Sequence, residues 1–304
     1  MSAPPLANIF ARYNPDPAAL AELKAELVGS GEFAEVWCPD SLWVVGVKAL
    51  PNSTPDPESA RALGLAFVEG RDAFDGHGGD HSTAFGSLAD CLEKTPGELD
   101  AFPGDFGLLR FGREGEATAV RSCGGTAPIY LWQSGEDAAM STSLTWMARF
   151  AATNSAPDGL VGALCAVGWS WFPDRRSPLA NVTVLPRGNF ARFRPGSGFE
   201  IAAYWDPRPK RIAEYSERAA AEHAERFRAL LIEKLTRDLD PEGGNLLTLS
   251  GGVDSTALGA LSAGLVGRKV WTLSLLPEPE DAFQREMAFI EPLARRYKFE
   301  RCWN

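Results

Sequence analysis

Apolar residues recur along this chain with two different periods, and the period changes a little past residue 205. Residues 18–30 have helical spacing, with Leu20, Leu23 and Leu27 on one face. Pro15 and Pro17 mark the entry to this helix, and Gly29 and Gly31 its exit. Short alternating runs follow at 34–37, 42–50 and 66–69, separated by turn residues such as the proline-rich stretch 51–57. A short helix is expected at 86–95. A β-meander is expected from 106–113, 117–122, 129–132 and 139–141, followed by helices at 144–152 and 159–167. Residues 181–185 and 190–194 read as a hairpin-like pair around Pro186-Arg187-Gly188. Many short strands and few long helices predict a β-rich α+β domain over residues 1–205.

Asp206-Pro207-Arg208-Pro209-Lys210 is the best linker in the chain. Beyond it, over 206–304, residues 215–239 form a long amphipathic helix. Ala219, Phe227, Leu230, Leu231 and Leu235 lie along one face, and Glu217, Arg218, Glu225 and Arg228 along the other. A strand at 245–249, a loop at 250–255 and a helix at 256–265 come next. A strand at 270–276, a helix at 281–297 and a strand at 299–303 complete the series. Strands alternating with helices predict a parallel α/β sheet, Rossmann-like in arrangement.

Composition narrows the class. The chain has 304 residues, 45% of them hydrophobic and 23% charged, as in a soluble globular protein. Its 30 Lys and Arg against 40 Asp and Glu give a net charge of −10, which argues against a nucleic-acid coat. No apolar run reaches the ~18 residues needed to span a bilayer, and the first residues lack signal-peptide features. Cys38, Cys91, Cys123, Cys165 and Cys302 are scattered without a CxxC spacing, the usage expected of reduced thiols in the cytoplasm. His77 and His81 have metal-ligand spacing but sit in a Gly/Asp-rich loop, where solvated histidines are the simpler reading. Trp169, Trp171 and Phe172 read as core packing before a peptide-facing patch. Arg175-Arg176, Arg285 and Glu286 read as surface charges.

The chemistry concentrates in Leu249-Ser250-Gly251-Gly252-Val253-Asp254-Ser255. A strand ends at Leu249 and a helix begins near Ser255. Gly251 and Gly252 let the backbone approach a ligand without Cβ clashes. Free N–H groups at the helix start favour an anion, and Ser250 and Ser255 add hydroxyl donors. A carboxylate beside a phosphate repels it unless a cation intervenes, so Asp254 reads as a Mg²⁺ ligand or as a helix N-cap. The plain alternative is a tight strand–helix turn capped by Asp254 or Ser255. The run is neither GxxxxGK[ST] nor GxGxxG, which argues against a P-loop NTPase or a dinucleotide site.

Ser250-Gly-Gly-Val-Asp-Ser resembles the SGGxDS pyrophosphate loop of the N-type ATP pyrophosphatases, the fold class of asparagine synthetase. The likeness implies that the loop holds the pyrophosphate of ATP, that Asp254 meets Mg²⁺, and that a carboxylate is adenylated. Trp271-Thr-Leu-Ser-Leu-Leu resembles the strand whose backbone reads adenine, so that Leu249 and Leu275 flank the base. Upstream, Gly104-Asp-Phe-Gly-Leu-Leu-Arg-Phe, then Arg121, Pro128 and Tyr130, then Val184-Leu-Pro-Arg-Gly-Asn-Phe, resemble in order the glutaminase domain of the asparagine synthetase family. The resemblance runs from about residue 90 to the C-terminus. It implies a nucleophile-hydrolase-like (Ntn-hydrolase-like) N-terminal domain followed by an ATP pyrophosphatase domain.

Two departures shape the functional expectation. Ser2 stands where glutamine-dependent members carry their cysteine nucleophile, and the family's glutamine-binding motifs are absent. The resemblance therefore implies an amide-bond-forming ligase whose amine comes from elsewhere, as in lasso-peptide cyclases and β-lactam synthetases. Its substrate would be a carboxylate, including a peptide precursor. The alternatives are an asparagine synthetase using ammonia or glutamine, and a catalytically inactive partner protein. Only about a hundred residues follow the linker, so the ATP-binding domain is expected to be incomplete here, through truncation, a gene break or completion by a second polypeptide. A homodimer is a further arrangement left open. No nucleic acid or membrane partner is expected.

Overall fold

The computed structural model describes residues 8–48, 64–69, 81–102, 106–125, 127–153, 155–168, 175–206, 216–274 and 280–303. Within them lie two compact units, one on each side of residues 207–215.

The N-terminal unit is mixed α+β and holds two antiparallel sheets. Its strands are β1 (Asn8–Tyr13), β2 (Glu35–Trp37), β3 (Trp43–Lys48), β4 (Leu65–Glu69), β5 (Gly107–Phe111), β6 (Ala117–Arg121), β7 (Tyr130–Ser134), β8 (Asp137–Ser141), β9 (Val182–Val184), β10 (Asn189–Arg194) and β11 (Gly198–Ala203). The first sheet runs β2-β3-β1-β8-β7-β9, and the second runs β11-β10-β6-β5-β4. Alternation along each strand sends one row inward and the next outward. Ile9, Ala11, Tyr13, Trp43, Val45, Ala138 and Met140 of the first sheet meet Leu109, Phe111, Ala117, Ala119, Ala191 and Phe193 of the second.

The outer faces are covered by helices. On the first sheet, Phe10, Val44 and Ala139 pack against Leu20, Leu23 and Leu27 of α1 (Pro17–Ser30) and against Trp146, Met147 and Phe150 of α3 (Leu144–Phe150). On the second, Leu65, Leu108 and Val120 pack against Leu88 and Leu92 of α2 (His81–Lys94). The result is four layers, helix–sheet–sheet–helix. At the centre the indole N–H of Trp43 donates to the Gly115 carbonyl at 2.8 Å. Gly115 has φ +78°, and a Cβ there would lie 2.7 Å from the Tyr13 ring, so only glycine fits the turn.

Two expectations about strand partners are corrected. The expected meander is two hairpins in different sheets, since β5 pairs with β6 in the second and β7 with β8 in the first. The expected hairpin at 181–194 is not one either: β9 pairs with β7, while β10 pairs with β6 and β11. The chain changes sheet at Pro186-Arg187. The Leu185 N–H donates to the Ile129 carbonyl, and the Gly188 N–H donates to the Arg121 carbonyl. Alternation reports which face a residue takes, not which sheet its strand joins. The strands β1 and β11 were not expected at all. β1 is buried on both faces and so shows little alternation.

The C-terminal unit contains α5 (Glu217–Asp238), β12 (Asn245–Thr248), α6 (Val253–Gly264), β13 (Val270–Ser274), α7 (Glu280–Tyr297) and β14 (Glu300–Trp303). Its three strands pair in parallel in the order β12-β13-β14. The small core is Leu249, Val270, Ile290, Ala294 and Phe299. On the helix-covered face Val270, Thr272 and Ser274 are buried. On the other face Leu246 and Trp271, opposite each other in register, are 46% and 39% exposed. Parallel sheets normally have both faces covered; among the described residues this one does not.

Candidate functional site

The strand–loop–helix at 245–264 is the place where the predicted residues meet. Leu249 follows β12, and its N–H donates to the Leu273 carbonyl at 2.9 Å. Its side chain is 1% exposed and belongs to the core. Leu275, the other residue expected beside a base, and Ser2 both lie outside the described residues, as do His77, Trp169, Trp171 and Phe172.

The helix starts earlier than expected, at Val253 rather than near Ser255, so Asp254 and Ser255 stand in its first turn. Neither is the cap. Gly252 is the N-cap residue, in extended conformation, and it offers no side-chain oxygen to the first-turn N–H groups. Those donors remain available to a ligand, and the helix dipole lies behind them.

The hydroxyls are used inside the loop. The Ser250 N–H donates to Ser255 Oγ at 3.2 Å, and the two serine hydroxyls lie 3.2 Å apart. Ser255 Oγ donates to the Gly252 carbonyl at 3.3 Å, and Thr256 Oγ1 donates to the same carbonyl at 2.8 Å. Ser255 therefore closes the loop on itself, a role the sequence did not suggest for it.

Gly251 has φ +69°, and a Cβ there would lie 3.1 Å from both Glu286 Oε2 and Phe289 Cβ of α7. The positive φ strains any other residue, and a Cβ would require Glu286 and Phe289 to give by a few tenths of an ångström. Glu286, read from sequence as a surface charge, thus brings its carboxylate to the loop. Asp254 is exposed, with no hydrogen bond or ion pair among the described residues. Asp254 in the first turn and Glu286 near Gly251 are carboxylates of the kind that suit an anion arriving with a divalent cation. Hard oxygen ligands hold Mg²⁺, and its charge offsets their repulsion of phosphate. The loop residues therefore fit a magnesium–polyphosphate group.

In the N-terminal unit, Arg121 is buried. Its Nε donates to the Gly125 carbonyl at 3.3 Å, and its Nη1 donates to the Leu185 carbonyl at 3.1 Å. Burial raises the Tyr130 pKa, and the nearby Arg121 charge opposes that rise. Arg121 thus ties together the two segments where the chain changes sheet. A cavity of about 270 Å³ lies elsewhere in this unit, lined by Arg12, Asn14, Leu20, Glu22, Leu23 and Glu26. Arg12 is already paired with Asp137 at 2.9 Å. Among the described residues no group of three or more His, Cys, Asp or Glu could hold a metal ion. No helix among them is long and apolar enough to cross a membrane. Among the described residues, Cys38, Cys123 and Cys165 form no disulfide.

No family model matches the chain, and no curated protein matches it. Among solved structures it is similar to glutamine phosphoribosylpyrophosphate amidotransferase from B. subtilis, complexed with ADP and GMP. The identity is 11% over 94% of this chain and 50% of that one, with a TM-score of 0.23. It is also similar to a structure described as the allosteric regulatory enzyme of purine biosynthesis. There the identity is 11% over 92% of this chain and 49% of that one, with a TM-score of 0.24. The chain spans about half the length of either. Likenesses of that size carry no argument about fold or activity.

Proposed function

We propose that residues 216–303 form the nucleotide-binding core of an ATP-dependent, amide-bond-forming ligase of the asparagine synthetase type. One observation carries this reading: the SGGVDS run leaves a parallel strand and opens a helix whose first-turn N–H groups have no side-chain cap. In the proposed reaction a carboxylate oxygen attacks the α-phosphorus of ATP, and the bond to the β-phosphate oxygen breaks with release of pyrophosphate. An amine then attacks the acyl carbon, loses its proton, and AMP departs. The loop amides bind the phosphate oxygens that become pyrophosphate. Asp254 holds Mg²⁺, which supplies charge neutralisation for the leaving group. The carboxylate is read as belonging to a small acid or a peptide precursor. The family's glutamine-binding motifs are absent from the sequence, so the amine is read as the substrate's own, as in lasso-peptide cyclases and β-lactam synthetases.

Incubation with ATP, Mg²⁺ and candidate acids is expected to yield AMP and pyrophosphate. ADP and phosphate would exclude the chemistry. Asp254→Ala is expected to weaken Mg–ATP binding by about tenfold or more, since contacts of charged groups contribute ~1.5–3 kcal/mol.

A second reading is favoured by the bare sheet face at Leu246 and Trp271. The chain would be an inactive or half-built partner whose parallel sheet is completed by a second polypeptide. ATP binding without turnover, and unaffected by Asp254→Ala, is the outcome that favours it.

A further inference from the structure

We propose that Ser274 is a positioning residue for the loop at 250–255, an inference that rests on the nucleotide reading above. Ser274 is the last residue of β13 and is 2% exposed. Its strand row runs Val270, Thr272, Ser274, passing from an apolar side chain to two hydroxyls within one buried face. A buried hydroxyl destabilises unless it finds a partner. Thr272 Oγ1 donates to the Glu300 carbonyl of β14 at 3.4 Å. Ser274 Oγ turns to the opposite neighbour and donates to the Leu249 carbonyl at 2.7 Å.

That carbonyl belongs to the peptide that launches the loop. Because the peptide group is planar, fixing the Leu249 C=O also fixes the Ser250 N–H on its other side. The Ser250 N–H donates in turn to Ser255 Oγ in the first turn of α6. One peptide plane is therefore clamped from both ends, by Ser274 from β13 and by Ser255 from the helix. The Leu249 N–H is held as well, by the Leu273 carbonyl. The clamp sets the direction in which the chain leaves the sheet, and with it the aim of the uncapped amides beyond. Donors oriented before the ligand arrives bind an anion more tightly than donors that must be ordered by it.

The test is calorimetric titration of the full chain with Mg–ATP and with Mg–pyrophosphate, for the wild type, Ser274→Ala and Ser274→Thr. Ser274→Ala is expected to weaken both ligands about 3- to 10-fold, the range of one lost hydrogen bond. Ser274→Thr keeps the hydroxyl and is expected to recover most of that loss. The Ser274→Ala and Ser255→Ala effects on pyrophosphate affinity are expected to be non-additive, because both act on one peptide. Should Ser274→Ala fail to fold, Ser274→Cys keeps the size with a weaker donor and is expected to fall between wild type and the full loss.

Unchanged affinities in a folded Ser274→Ala, with or without a lower unfolding midpoint, would overturn the inference and leave the nucleotide reading standing. A wild type that binds neither ligand removes the reading and the inference together.

Discussion

Asp158 shows how one carboxylate can serve two elements. It is the N-cap of α4 (Gly159–Ala166), where it accepts the Leu160 and Val161 N–H groups at 3.0 Å each, and it pairs with Arg176 at 2.9 Å. The Val161 N–H and the Arg176 guanidinium hold its pKa below the ordinary aspartate value, against the opposing effect of desolvation. A folded-state pKa that is depressed contributes stability above the unfolded value, near ~3.9, and loses it as pH falls through the folded value. Asp158→Asn is therefore expected to be less stable than wild type at pH 7, with the gap closing below about pH 4. Urea denaturation at both pH values checks this, and a gap constant with pH would refute it. At Gly251 the constraint is steric. Gly251→Ala places a methyl 3.1 Å from Glu286 Oε2 at φ +69°, and should cost the C-terminal unit about 1–3 kcal/mol. The same denaturation, followed through Trp271, reads that loss.

Elements were legible in the sequence to the extent that their period reports their own backbone. The helix read at 18–30 is Pro17–Ser30, and its three leucines are buried as the spacing implied. The helix read at 215–239 is Glu217–Asp238, but none of its residues is buried. Phe227 and Leu230, on its apolar stripe, are 64% and 55% exposed. A period of 3.6 identifies a face without supplying what covers it. The strand partners were hidden for a related reason. β1 pairs with β3 and β8, and the latter contact holds Arg12 to Asp137 across 125 residues of sequence. At the loop, the glycines and their strand–helix setting were visible. The earlier helix start, the inward use of Ser255, and the approach of Glu286 from α7 depend on contacts no local pattern contains. An apolar stripe without cover contributes little to stability. Phe227→Ala is expected to change unfolding free energy by less than about 0.5 kcal/mol, whereas truncation of Leu27, 0% exposed in α1, should cost ~2–5 kcal/mol. Equal losses in a thermal melt would mean that the stripe is covered in solution.

The two units differ in how much they bury, and that difference makes the nucleotide reading testable through stability alone. Among the described residues, the N-terminal unit has three buried clusters spread through four layers. Among the described residues the C-terminal unit has one, of five side chains, under a sheet with one bare face. Chains built from unequal units need not unfold in a single step. The C-terminal unit should therefore open first, and amides of β12, α6 and β13 should exchange with solvent at lower urea than those of β1, β6 and β8. Mg–ATP acts only on the unit that binds it. At a hundred times its dissociation constant it should stabilise the C-terminal amides by ~2.7 kcal/mol and leave the N-terminal amides unmoved. Asp254→Ala should remove most of that protection at the same ligand concentration, while shifting ligand-free exchange of the C-terminal unit by no more than the ~0.3–1 kcal/mol that an exposed first-turn carboxylate contributes. Hydrogen-exchange mass spectrometry resolves the two units within one sample. Protection confined to the N-terminal sheets would place the nucleotide away from the SGGVDS loop, whereas protection centred on residues 245–264 would tie it there.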